Sequence, residues 1–552
     1  MRMFSWRHLW QRSSVPSDRR TPPRYHPRVR QFESRELLST FTVVLATDSG
    51  GASGQMVSPT SGDLRYCIEQ ADATHTATSD VINFDATVFA TPQTILLNSA
   101  NGPLTLSDSH PLIMQGPAGG TATISGDDAI AVLNVESGTV SMSNLTVSHA
   151  QTATSGAGLT NGGNLTLTNC NFDHDVAANG GGGGFYNAAG VAKLVGCTFN
   201  HDSAFDGGGI FDFGKLTLAK CTFSNDVSTG VGGGGVWVSN DSKVTMTSTV
   251  FNNDSTDEDG GAVFVTGGTT VLTLTSCTLS NGFAGNGGGG LCTDGPCTVK
   301  MTRCNISNNA AGNVGGGVCN VDSTVGLTNC TLSNDSVLVS SGGGGGLAND
   351  DGGTATVVGC TFNNDSAAVG GGMDNDGPAT LINCTFSNNF ATVNSSFGGA
   401  GIYSSGGFTI SLTNCTLANN TSNGFGGGIW NAADSTLNLT NTIVAENSAA
   451  SGPDIYGSIN TADHNLIGDA TGSTIITDMG GNLLGGNGDP VIDPRLGPLQ
   501  NNGGPTQTLA LLADSLAIGH ADDAFAPTTD QRGHMRTDHF GLATDIGACE
   551  YP

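Results

Sequence analysis

Three histidines, His149, His174 and His201, recur at about 26-residue spacing, with Asp175 and Asp202 directly after the second and third. Imidazole and carboxylate groups in such a column are the donors a divalent metal takes. The competing reading is that neutral histidine replaces asparagine in a stacked column, since Asn225, Asn253, Asn281, Asn308, Asn334, Asn364, Asn388 and Asn419 follow at the same place. Alternation points that position inward at a turn, where stacked amides satisfy backbone groups. Asp175, Asp202, Asp226 and Asp254 then form a like-charged column just outside the turn. Either they splay into solvent or a cation such as Ca²⁺ relieves their repulsion. No EF-hand spacing is present, and the reading requires no cofactor.

A second chemical pattern is aromatic. The residue after G-G-G-x is Tyr186, Phe211, Trp237 and Phe264 in four successive copies. It is expected to face outward, stacked, with part of each ring in water. Such a strip either supports a parallel ladder or binds sugar faces or a protein, so these four are the ligand-binding candidates. Cysteines number 14, without a C-x-x-C pair. Nine read as small buried residues, whereas Cys292, Cys297 and Cys319 fall near the outer surface, where one disulfide is plausible in an oxidising compartment.

What must position these residues is a repeat. The anchors Cys170, Cys197, Cys221, Cys277, Cys304, Cys330, Cys360, Cys384 and Cys415, with Thr249 and Thr442 in the same place, lie between Leu145 and Leu466. Thirteen copies at about 27 residues, with period-two alternation and no helical period, predict a parallel β-helix with three short strands per coil. At ~4.8 Å per coil the rod is roughly 60 Å long. Asn169, Gly196, Asn329, Gly359, Asn383, Asn414 and Asn441 precede their anchors and suit a left-handed turn. The expected organisation is a basic leader at 1–40, an N-terminal cap and first coils at 41–140, coils at 141–490, and a C-terminal segment at 491–552. The run 62–73 has helical spacing and would cover the first coil.

Composition bounds the function. Glycine is 83 of 552 residues without collagen's three-residue period, and no run approaches the ~18–20 apolar residues of a spanning helix. Net charge is −28, and the first 40 residues carry nine arginines against three acids. No lysine or arginine occurs between Cys304 and Pro494. Such a body repels phosphate backbones, so nucleic acid is not an expected partner.

G-G-G-I (207–210) with F-S-N-D (223–226), and G-G-A-V (260–263) with F-N-N-D (251–254), resemble the repeats of polymorphic outer-membrane proteins. The stretches 497–512, T-D-Q-R-G (529–533) and D-I-G-A-C-E-Y (545–551) are similar to the choice-of-anchor Q domain of bacterial surface proteins. The present chain has D-S-L-A-I-G-H-A at 514–521 and Cys549 where that family has G-S-P-A-I-D-A-G and Phe. G-D-L-R-Y-C-I-E-Q-A (62–71) with D-V-I-N-F-D (80–85) resembles the CSLREA domain, and F-E-S-R-E-L-L-S (32–39) the LEPR-XLL sorting segment. Together they imply a secreted or cell-surface, all-β, right-handed parallel β-helix of the pectin-lyase-like fold, capped at both ends. None supplies catalytic residues.

The function expected is therefore non-enzymatic: a surface rod presenting a binding face to a polysaccharide or protein, as an adhesin or a wall or matrix component. The alternative is a polysaccharide lyase or glycosidase, which needs a base beside bound calcium or a carboxylate cluster. Asp127–Asp128 and Asp350–Asp351 are acidic pairs, but each adjoins a glycine in a turn.

Overall fold

The computed structural model describes residues 39–551 apart from 74–78, 108–109, 118–120, 240 and 537–542. The expected leader at 1–40 therefore lies almost entirely outside the described residues.

One rung shows how the sequence bends into a coil. Leu216 and Leu218 of strand Lys215–Ala219 point inward and are fully buried. Lys220 then takes φ 55°, and the chain turns into Thr222–Ser224, which buries Phe223. Asn225 at φ 60° turns it again into the two-residue strand Val227–Ser228. Gly233 at φ 68° makes the third bend, and Val236–Val238 leads back to the next rung at Lys243. Every neighbour is parallel and in register: Leu216 lies on Val244, Phe223 on Phe251, Val227 on Ser255.

Eleven rungs thus have four strands rather than the three expected. The extra one, two residues long in most rungs, is too short to show alternation. These strands stack into a 32-stranded sheet, a 16-stranded sheet and an 11-stranded sheet. The thirteen copies from Leu145 to Leu466 are thirteen consecutive strands of the 16-stranded sheet. Gln93–Leu96 and Ala122–Ser125 extend it at one end and Leu483–Leu484 at the other. The core is a set of columns. Phe172, Phe199, Phe223 and Phe251 stack at 4.7–4.8 Å, nearly parallel and out of water. The anchor cysteines are buried beside them as free thiols.

A stack of coils leaves open ends, and an unpaired edge invites another chain. Helix Leu64–Ala73 covers the first, burying Leu64, Ile68 and Ala71. Its Arg65 reaches Asp48 with two nitrogens at 2.8 and 2.9 Å, both side chains out of solvent. No helix among the described residues is long and apolar enough to cross a membrane.

Candidate functional site

The aspartate column is inside the rod, and the asparagine column is outside, the reverse of the expectation. The reason is the left-handed residue itself. His149, His174, His201, Asn225, Asn253 and Asn281 all have φ between 49° and 62°. One such residue interrupts the strand alternation, so its own side chain turns to the surface and the next points inward. Asp175, Asp202, Asp226 and Asp254 are consequently at 0 % exposure. Each offers Oδ1 to a backbone N–H of the preceding rung: Ala150, Asp175, Asp202 and Asp226, at 2.8–3.0 Å. Asn309, Asp335, Asp365, Asn389, Asn420 and Asn447 continue the ladder in later rungs.

Burial pushes the carboxyls of Asp175, Asp202, Asp226 and Asp254 well above the ordinary range. Asp335 is raised to about 8 by the same cause. A second interior ladder joins Asn161, Asn187 and Asp212 at 2.8 and 2.6 Å, and Asn320, Asn349 and Asn375 at 2.7 and 2.9 Å. These buried carboxyls are committed to holding rungs together. Asp127, Asp128 and Asp351 are turn residues with φ 52–54°.

The histidines stack on the surface, His149 on His174 at 5.4 Å and His174 on His201 at 4.8 Å, within 14° of parallel. Asp175 and Asp202 cannot join them, being turned into the core. Asp173 takes their place: its carboxylate lies 3.1 Å from His174 Nδ1, and donors of Asp173, His174 and His201 come within 4.8 Å of one another.

The four aromatics form one column, with ring centroids 4.8–5.7 Å apart between neighbours. They are not all in water: Phe211 is 8 % and Phe264 2 % exposed, while Tyr186 and Trp237 are half-buried. The short arm of each rung passes over the ring of the following rung, and glycine permits the approach. A Cβ at Gly181 would lie 2.0 Å from the Phe211 ring. Phe264, Cys292 and Cys319 form a satellite core with Trp237, Val314 and Val321. Cys292, Cys297 and Cys319 are thus buried free thiols rather than surface ones. Phe264→Ala is expected to cost about 3–5 kcal/mol, read as a lower unfolding midpoint. A change under about 1 kcal/mol would return the column to the surface. A more open aromatic group lies farther along: Tyr403 and Trp430 stack at 4.4 Å beside Phe397, which is 46 % exposed.

The largest departure from expectation is the C-terminal segment, which folds back along the flank of the 16-stranded sheet. Its hairpin, Leu496–Gln500 with Thr508–Leu511, starts beyond the last rung. Gln507 accepts from Thr361, Thr529 from Asn383, and Asp545 and Gly547 from Asn414. The left-handed asparagines before the anchors, with side chains turned outward, are the docking groups. The outward hydroxyls of Thr361, Thr385 and Thr416, buried here, are their neighbours. Gln531 bridges Thr361, Thr385 and the carbonyl of Cys360. Beneath it is a polar knot. Arg536 donates to Asn383 Oδ1, to the Glu550 carboxylate at 3.0 Å, and to the carbonyls of Asp545 and Gly547. Asp530 holds Arg532. Glu550, raised to about 7 by burial, is one of the motif residues read at 545–551.

The cover ends near Gly359, while the docking columns continue. At that edge lies a cleft of about 810 Å³. Arg303, Asn305, Asn329 and Thr331 line its rod side; Asp530, Arg532 and Gly533 line its tail side. Arg303 and Asn305 are exposed on its rim. Sequence reading missed this site because its two walls are some 200 residues apart. The only signal was Arg303, the last cation before a long stretch without one.

Residues 128–288 match the family described as right handed beta helix region. No curated protein matches the chain. Among solved structures it is similar to "Crystal structure of pectate lyase Pel9A", at 12 % identity, over 93 % of this chain and 98 % of that one, with a TM-score of 0.29. The family match agrees with the observed stack of in-register parallel rungs, and the right-handed parallel β-helix expected from the repeat is the fold.

The cleft offers amide, hydroxyl and guanidinium groups on two facing walls. Such a lining binds by hydrogen bonding, with charge available at the rim.

Proposed function

We propose that the chain is a non-enzymatic rod, secreted or held at the cell surface, that binds an extracellular polysaccharide in the cleft between tail and flank. The cleft carries the reading. Sugar hydroxyls need donors and acceptors together, and Asn305, Asn329, Thr331 and Arg303 supply both beside a shaped wall. The surface address is supported by the resemblance of 497–551 to choice-of-anchor Q segments and of 62–85 to CSLREA segments. The resemblance to polymorphic outer-membrane repeats favours an adhesive role. The partly open rings of Tyr186 and Trp237 are accessory sugar platforms in this reading. No cofactor is required, and calcium at surface carboxylates is compatible with it.

The test is a glycan-array screen of the full chain beside Arg303→Asn. Asparagine occupies the same left-handed position one rung on, at Asn329, so the turn is preserved. Binding is expected to weaken at least tenfold with the melting temperature unchanged. Equal binding by the variant, or no glycan bound by the parent, would sink the proposal. Release of oligosaccharide products from any polysaccharide would replace it with the lyase or glycosidase reading.

A further inference from the structure

The next-to-last rung and the tail meet at a second group of metal-type donors, independent of the cleft. Strand Ile455–Asp463 ends in a carboxylate whose side chain is 9 % exposed. Its Oδ1 lies 2.7 Å from Nδ1 of His464. Asp522 arrives from the tail, and donor atoms of Asp463, His464 and Asp522 all lie within 4.8 Å of one another.

Each donor is held from behind. The backbone of Asp522 is pinned on the preceding rung: its N–H donates to Asn441 Oδ1 at 2.7 Å, and Asn441 Nδ2 donates to its carbonyl at 3.0 Å. The N–H of Ala524 fixes one oxygen of its carboxylate at 2.9 Å. His464 has φ 51° and lies beneath Gly481, where a Cβ would come within 2.4 Å of Nε2. That packing closes the Nε2 edge and leaves Nδ1 as the ligand atom. Two carboxylates thus face one imidazole, and among the described residues no lysine or arginine forms an ion pair with either.

We propose that Asp463, His464 and Asp522 bind one divalent transition-metal ion that clasps the tail to the next-to-last rung. One nitrogen and two carboxylate oxygens form a zinc-type donor set with positions left for water. At 2.7 Å the Asp463–His464 pair is closer than the ~3–3.5 Å between ligands sharing one ion, and small side-chain rotations open it to admit the ion and bring Asp522 in. Because two ligands belong to the rod and one to the tail, the ion binds only the docked arrangement and favours it by mass action.

The test uses Zn²⁺ alone with the metal-stripped full chain. Equilibrium dialysis counts bound ions, and limited proteolysis times cleavage within 496–551. His464→Asn and Asp522→Asn remove ligands; asparagine already serves the left-handed position of His464 at Asn414 and Asn441. His174→Asn removes the surface histidine cluster and serves as control. The expected result is one micromolar or tighter equivalent present in the parent and in His174→Asn, and absent from both clasp variants. Zinc should slow tail cleavage at least tenfold wherever that equivalent is bound. Zinc retained by both clasp variants, no binding at 100 µM, or binding that leaves cleavage unchanged would each overturn the clasp.

Discussion

Replacing Asp226 with asparagine should stabilise the rod at pH 8 and leave it nearly unchanged at pH 4. The Asp226 side chain is sealed in the core, where its Oδ1 takes the N–H of Asp202 and its Oδ2 has no hydrogen-bond partner. Burial first, and the neighbouring Asp254 second, raise its pKa far above the ordinary 3.8. A carboxyl with a raised folded-state pKa contributes fully only below its unfolded pKa. Its contribution drains away as pH rises towards the folded value. The loss for this column therefore begins near pH 4, and for Asp335 it runs to about pH 8. Each tenfold weakening of an acid on folding corresponds to about 1.4 kcal/mol, so removing one such acid should raise the unfolding midpoint clearly at pH 8.

The protein itself supplies the replacement. Asn389 and Asn420 occupy the same position, and their Nδ2 groups donate to the next asparagine and to the carbonyls of Phe362 and Phe386. Urea or thermal unfolding of parent and variant at the two pH values measures the difference. A destabilised variant at pH 8 would show that the carboxylate is stably ionised in the core.

Arg536→Met should release the tail while the rungs remain folded. The guanidinium is buried and answers Glu550, Asn383 and two carbonyls at once. Its removal strands Glu550 without its cation, a loss typically of about 3–5 kcal/mol. The apolar contacts under the tail are few, chiefly Leu511, Ala517, Ala521 and Ile546 against Ile443, Ala445 and Leu466. Rapid proteolysis within 496–551, with far-UV circular dichroism of the rod retained, is the expected reading. Adding Glu550→Gln should restore part of the protection. Cooperative loss of the whole fold would mean that the tail and rungs unfold as one unit.

The rung was legible because it repeats: the anchors from Leu145 to Thr442, the inward Leu and Phe positions and the turn before each of those anchors lie where the spacing placed them, whereas in the last copy Asn465, not Leu466, stacks on Thr442. What was misread lies one residue from a left-handed turn. Alternation counts every residue as a half-step, and Asn225 does not take one, so Asp226 and everything hung on it was assigned to the wrong side. The aromatic column failed differently. Whether Phe264 meets water depends on the arm that passes over it, and glycine at Gly232 reads in a sequence as turn rather than roof. The cleft was illegible because neither wall shows a pattern alone.

The triple-glycine bends have a further consequence. At Gly208, Gly234, Gly261 and Gly316 a Cβ would lie only 2.3–2.5 Å from the carbonyl of the matching glycine one rung on. The cross-section is therefore rigidly prescribed, since any side chain there would prise two floors apart. Ahead of the stretch that the tail covers, the number of floors is not prescribed, because each there touches only its neighbours. Joining Ser276 to Cys304 would excise one whole storey and return every column to its partner. A lineage carrying this architecture is free to vary its reach by duplication or loss of entire storeys, but has little freedom to vary its girth.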